Sequence, residues 1–180
     1  MRQDKTVQFV CFETVLDTDK FITQWEHFTK SANSDVDVTL QQSEKNGVFK
    51  YIAQHRYAAG EFQFIFAKAT RSSRTPEVEI KAKQAGGYSI QQLERSTDAR
   101  ADENKIFVFI GNAQTDLSSY KQLSSLGKLN IYEAYYENCQ YAYILEFFAK
   151  QKNVEQLTAQ LRLLEPSEVR VYKECALQVS

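Results

Sequence analysis

The chain has two histidines among its 180 residues, His27 and His55, and they differ in what they could do. His55 falls in Tyr51-Ile52-Ala53-Gln54-His55-Arg56-Tyr57, where strand alternation puts Tyr51, Ala53, His55 and Tyr57 on one side. An imidazole beside two phenols could serve a pocket as a base or hydrogen-bond donor near neutral pH; a satisfied histidine near a strand end is the plainer role. Glu13, near the end of the first strand pattern, is the carboxylate that could share such a pocket. Trp25, the single tryptophan, shares a helical stripe with Phe21, Ile22 and Phe28, which suits core packing first and an aromatic ligand second. His27 points off that stripe, towards solvent.

Cys11, Cys139 and Cys175 are an odd number without metal-ligand spacing, so reduced thiols and no metal site are expected. Cys11 alternates into a strand core, where a thiol is inert rather than nucleophilic. Tyr132, Tyr135, Tyr136, Tyr141 and Tyr143 crowd one hairpin, either as a wall for an aromatic ligand or as cross-strand pairs. The sequence carries no nucleophile elbow, phosphate loop or dinucleotide fingerprint.

The elements that would position these residues come twice. The only prolines, Pro76 and Pro166, each follow a helix-like segment and open an alternating strand, Glu77-Val78-Glu79-Ile80 in one case and Glu168-Val169-Arg170-Val171 in the other. Upstream, Tyr51-Ile52-Ala53 corresponds to Tyr143-Ile144-Leu145, and Phe9-Val10-Cys11-Phe12 to Phe107-Val108-Phe109-Ile110. Each unit reads strand, helix, strand, strand, helix, strand, the ferredoxin-like order. In the first, Asp17-Thr18-Asp19 starts a helix, Lys45-Asn46-Gly47 turns a hairpin, and Phe62 to Ala69 form a second helix. In the second, Thr115-Asp116 caps a short helix ending near Gly127, Glu137-Asn138 is the turn, and Asn153 caps the last helix. The units span residues 1–95 and 104–180, with a polar, non-periodic linker from Arg95 to Asn104.

Several strands are apolar on both faces, notably Phe9 to Phe12, Ile106 to Ile110 and Tyr141 to Phe148. Helices cover only one face of a ferredoxin-like sheet, and burying the other is worth about 25 cal/mol per Å². The expected fold is therefore α+β: two ferredoxin-like βαββαβ repeats packed sheet to sheet as an intrachain dimeric α+β barrel. Gly86-Gly87, inside a long last strand, suits a barrel corner. The second unit reads as the more structural, because His55, Arg56 and Glu13 all lie in the first.

Hydrophobic residues are 43% of the chain and charged residues 25%, enough apolar surface for a core. Lysine and arginine are scattered among acids at a net charge of −1, without the basic stripe of a nucleic-acid partner. The polar start lacks a signal-peptide core and no apolar run could span a bilayer, so a cytoplasmic protein without a membrane partner is expected.

The run Val48-Phe49-Lys50-Tyr51-Ile52-Ala53-Gln54-His55-Arg56-Tyr57, followed by Glu61-Phe62-Gln63-Phe64-Ile65-Phe66, resembles the antibiotic biosynthesis monooxygenase group of the dimeric α+β barrel superfamily. The resemblance implies a homodimer of one unit or a fused pair, and either a cofactor-free oxygenase of aromatic molecules, a haem-degrading enzyme or a protein without activity. The family's strand-end Trp falls on Tyr57, and on Phe148 in the second unit. Where the haem-degrading branch has an Asn, this chain has Glu13 in the first unit and Asn112 in the second, and neither second helix carries that branch's His. These departures imply no haem and no other cofactor. The resulting expectation is a monooxygenase-like protein, monomer or weak homodimer, acting on or binding a small aromatic or apolar molecule. His55 and Glu13 would be catalytic, with Tyr57, Tyr51, Trp25 and Asn112 contacting the substrate. The alternative is a non-catalytic barrel that binds a small ligand or a partner protein.

Overall fold

A computed structural model describes residues 6–14, 16–32, 37–43, 50–57, 80–135 and 139–175, and among these alternating apolar residues form eight strands. In order these are β1 (Thr6–Thr14), α1 (Thr18–Ala32), β2 (Asp37–Ser43), β3 (Tyr51–Tyr57), β4 (Ile80–Leu93), β5 (Glu103–Ile110), α2 (Ser118–Lys121), β6 (Lys128–Ala134), β7 (Tyr143–Lys150), α3 (Gln151–Leu163) and β8 (Glu168–Glu174). A 3-10 turn, Gln122–Ser125, extends α2. The turns at Lys45-Asn46-Gly47 and Glu137-Asn138, the helix expected at Phe62 to Ala69 and the strand opening at Pro76 lie outside the described residues.

All strand pairs are antiparallel and the sheet closes on itself in the order β1-β3-β2-β8-β5-β7-β6-β4. Within residues 6–93 the order is β4-β1-β3-β2, and within 103–174 it is β8-β5-β7-β6, the same pattern. The fold is thus α+β around an eight-stranded barrel. The two halves meet by hydrogen bonding at β2–β8 and β4–β6 rather than as separate stacked sheets. Edge pairing satisfies backbone groups that stacking alone would leave exposed.

Strand β4 makes one of these joins by pairing first with β1 and then with β6; Tyr88 faces Val7 on one side and Ala134 on the other. Gly86 precedes that hand-over, where an added Cβ would lie 2.9 Å from Cε2 of Tyr88, so the corner needs glycine.

Alternation sorts side chains to two destinations. Val7, Phe9, Cys11, Ile52, Tyr88, Phe107, Phe109, Tyr132 and Tyr172 fill the barrel, with Phe9 edge-on to Tyr132 at 4.9 Å and to Tyr88 at 5.5 Å. Val10, Phe12, Leu40, Tyr51 and Ala53 turn outward under Phe21 and Trp25 of α1, and Ile106, Val108, Leu129, Leu145 and Phe147 do so under Leu157 and Leu161 of α3. Asp17 caps α1, accepting from the Lys20 amide at 3.0 Å, a bond that holds its carboxyl below the usual range. Helix α3 begins two residues before the expected Asn153, directly off Lys150 and without a side-chain cap. Asn153 instead donates to the Leu126 carbonyl at 3.1 Å, tying α3 to the end of the 3-10 turn. None of the described helices is long and apolar enough to cross a membrane.

Candidate functional site

Three of the residues singled out in the sequence meet beneath α1. Tyr51 stacks on Phe21 at 3.8 Å with its hydroxyl 3.1 Å from Thr18 Oγ1, and the His55 ring lies 6.4 Å from Trp25. His55 Nδ1 is 3.4 Å from Gln8 Oε1, and only 6% of the residue is exposed. Burial lowers its pKa to about 4, so the imidazole is neutral at physiological pH. A base protonated so weakly is poorly matched to proton abstraction near pH 7. Tyr51, His55 and Trp25 therefore form a packed layer between helix and sheet. The side chains of Glu13 and Tyr57 lie outside the described residues; their backbones pair with Lys81 and Thr6. Asn112 stands apart, exposed after β5, where its Oδ1 closes a local turn by accepting from the Gln114 amide at 2.9 Å.

The inner face of the barrel holds a second constellation that no sequence motif marks. Lys105 and Glu146 both have fully buried side chains, with Nζ 3.4 Å from Oε1. Glu146 Oε2 accepts from the Tyr132 hydroxyl at 2.7 Å and from Asn130 Nδ2 at 3.0 Å, and Oε1 accepts from Gln54 Nε2 at 3.2 Å. Lys105 donates to Gln54 Oε1 at 3.2 Å. With the Gln41 amide nitrogen turned to the Ile52 carbonyl, its oxygen also meets Lys105 Nζ at 2.9 Å. Thr39 donates to Gln54 at 3.1 Å. Burial and the neighbouring carboxylate push the Tyr132 pKa well up, which keeps the phenol a donor. Isolated charges would not survive here; each other and the neutral Tyr132, Asn130, Gln54 and Gln41 make the pair tenable.

These groups make one end of the barrel interior polar while the aromatic cluster fills the rest. The sequence signal for them is a charge inside strands otherwise apolar on both faces, Lys105 before Ile106 to Ile110 and Glu146 within Tyr143 to Ala149. Most come from the half that reads as structural, with Gln41, Gln54 and Thr39 joining from the other.

The segment from Glu94 to Ala99, part of the expected linker, closes this polar end. Asn130 Oδ1 accepts from the Glu94 and Arg95 amides at 3.0 and 3.2 Å, and its Nδ2 donates to the Arg95 carbonyl at 3.0 Å. The Arg95 guanidinium pairs with Glu103 and lies 4.7 Å over the Phe148 ring. Asp98 pairs with Arg56 at 3.8 Å, and the Ala99 amide donates to Glu174 Oε2 at 2.7 Å. That same Glu174 oxygen is 3.9 Å from Lys105 Nζ. Glu174 also lines a cleft of about 550 Å³ bounded by the linker, Asn104, Gln151 and Lys173. A second cleft, of about 410 Å³ along Pro166 to Val171, has no contact of this kind with the buried pair.

The described residues offer no cluster of three or more His, Cys, Asp or Glu that could hold a metal ion. A haem iron would need an imidazole, thiolate or phenolate donor. His55 is enclosed under α1, and the side chain of His27 lies outside the described residues. Burial raises the Cys11 thiol to about 12 and Cys175 to about 11, leaving both protonated. Among the described residues, His55, Cys11 and Cys175 do not fit a haem.

No protein-family model matches the chain, and no curated protein does. The fold is similar to that of solved structures of chlorite dismutase from Candidatus Nitrospira defluvii. A variant of that enzyme in complex with cyanide is 8% identical over 98% of this chain and 93% of its own, with a TM-score of 0.63. The same enzyme in complex with imidazole is 7% identical, with the same coverage and a TM-score of 0.64. At this identity the likeness is one of fold alone.

Proposed function

We propose that the protein is a small-molecule-binding α+β barrel made of two fused ferredoxin-like units, with its ligand seated in the cleft at the linker-covered end. The observation that carries this reading is Glu174, which connects the buried Lys105 to a cleft of about 550 Å³. The matching strand orders of the two halves support the fused pair. Fusion supplies in one chain what single units obtain by dimerising, which favours a monomer.

The expected aromatic pocket around His55 has little support as a reaction centre, since that ring is neutral and spent on packing against Trp25. The cleft is lined by charged and amide side chains, so a polar ligand suits it better than a flat aromatic one. The shared fold with chlorite dismutases supports a second reading, oxidative turnover of a small molecule, for which a group other than His55 would have to handle protons. An amide-detected NMR screen of neutral, charged and flat aromatic fragments tests the first reading. Shifts should gather at the amides of residues 99–104 and 173–175. Shifts confined to the neighbourhood of Trp25 and His55 would overturn the cleft as the ligand site.

A further inference from the structure

The segment that joins β4 to β5 bonds to itself between Arg95 and Glu103. The Arg95 guanidinium donates to the Asp98 carbonyl at 3.0 Å and pairs with Glu103. The Glu103 amide donates to the Arg100 carbonyl at 2.9 Å, and the Arg100 amide to Glu103 Oε2 at 3.2 Å. A loop closed on itself in this way can move as one body about its two ends.

Its attachments to the barrel converge on the buried ion pair. At the first end, Asn130 Oδ1 accepts from the Glu94 and Arg95 amides, while Asn130 Nδ2 donates both to the Arg95 carbonyl and to Glu146 Oε2. Further along, the Ala99 amide donates to Glu174 Oε2, the oxygen that lies 3.9 Å from Lys105 Nζ. One attachment therefore hangs on a partner of the buried carboxylate and the other on a neighbour of the buried ammonium. The remaining ties are slight. Arg95 covers the Phe148 ring, and Asp98 reaches Arg56 at 3.8 Å from a side chain 64% exposed, an ion pair of little strength. Arg100 and Asp102 are exposed, and among the described residues neither forms an ion pair with the barrel; Lys173 on β8 is already engaged.

Thr97, near the middle of the loop, weighs against the closed position. The residue is 2% exposed, and among the described residues its hydroxyl has no hydrogen-bond partner. A buried hydroxyl left unpaired disfavours the state that buries it. Ser96, Asp98, Ala99 and Arg100 bring no large apolar side chain to offset this. Segments held by few apolar contacts open at lower free energy than the strands around them.

We infer that Arg95 to Glu103 form a hinged lid over the Lys105–Glu146 pair, latched at two points to groups that hold that pair, with the Thr97 hydroxyl opposing closure. Ala99 to Glu103 also make one wall of the cleft of about 550 Å³, so opening the lid moves that wall. This consequence for a ligand rests on the cleft being the ligand site; the lid itself does not.

The test is amide hydrogen exchange on the full chain, read by NMR. The Glu94, Arg95 and Ala99 amides should exchange together, faster than Val108 and Leu145 in the barrel, at a rate that low urea leaves unchanged. Glu174→Ala removes one latch and should speed Glu94 and Arg95, at the other latch, about tenfold, with Val108 and Leu145 unaltered. Glu174→Gln keeps an acceptor for Ala99 and should restore most of the protection. Thr97→Val, close in shape and without the hydroxyl, should slow the same three amides. The Arg100 and Glu103 amides, bonded within the lid, should keep their rates in every variant. Acceleration confined to Ala99 would show two independent attachments and overturn the lid, as would equal acceleration of the barrel amides. Exchange in Thr97→Val as fast as in the unaltered protein, or faster, overturns the role of the hydroxyl. Fragment shifts at residues 99–104 without this coupling would leave the cleft standing and sink the lid; coupling with a silent fragment screen would uphold the lid while the cleft reading falls.

Discussion

The Tyr132 hydroxyl donates to Glu146 Oε2 across 2.7 Å, joining the aromatic filling of the barrel to its polar end. Tyr132 packs edge-on against Phe9 of β1 while its oxygen holds a carboxylate on β7. Apolar packing and charge burial are therefore coupled through one side chain.

That coupling sets the cost of breaking the buried pair. Lys105→Met would leave Glu146 enclosed with neutral donors alone, and the expected loss is about 3–5 kcal/mol by urea denaturation. Lys105→Met combined with Glu146→Leu should recover most of it, because two apolar chains remove both desolvation penalties. A double variant as unstable as the single one would show that the neutral network, rather than the charges, holds this end together.

His55 gives a pH dependence with a defined sign. Its pKa falls from 6.5 in the unfolded chain to about 4 when folded, so between these values the unfolded state binds more protons. Stability is full above pH 6.5 and is lost as pH falls towards 4, by at most about 3 kcal/mol from this group. Carboxylates titrate in the same window, so the measurement is the difference between the protein and His55→Gln across pH 4–7. Parallel curves would mean that the ring is not buried as neutral imidazole.

Gly127 tests the seam between β6 and the α3 layer. A Cβ there would approach the Phe148 carbonyl oxygen to 2.9 Å and Leu157 Cδ2 to 3.1 Å. Backbone cannot yield as a side-chain tip can, so Gly127→Ala should cost about 1–3 kcal/mol in thermal or urea unfolding. An unchanged midpoint would show that the 3-10 turn relaxes freely.

Much of this architecture is legible in the order of residues, and the reasons are local. Pro166, the Asp17 cap and the two-faced apolar strands each act through short-range sterics or burial, which sequence records directly. The edge joins β2–β8 and β4–β6 depend on which strands reach each other after folding, and no local pattern encodes that. Among site residues, alternation correctly puts Tyr51, Ala53 and His55 on one face, but alternation does not say that α1 seals that face. Lys105, Glu146 and Glu174 are harder still, for they lie on separate strands and acquire meaning only when the barrel closes. Glu146 is a single charge in an apolar run and Lys105 borders one, whereas Glu174, beside Lys173, leaves no such clue.

Haem is the final test, because the resemblance drawn from sequence includes haem enzymes. His55, the imidazole inside a strand, lies under Trp25 and Gln8 with its pKa lowered by burial, so an axial bond would require lifting α1 from the sheet. Cys11 faces the barrel core with its pKa pushed to about 12, and the Tyr88, Tyr132 and Tyr172 phenols are raised by burial as well, so none supplies an anionic ligand at pH 7. The aromatic rings that fill the barrel, Phe9 against Tyr88, Phe107 and Tyr132 at 4.9–6.0 Å, occupy space that a macrocycle would need. Titration with haem should therefore rise without a stoichiometric break and without a sharp Soret band. A one-to-one complex with a sharp band, abolished by His55→Ala, would mean that α1 opens and would restore the imidazole as a functional ligand.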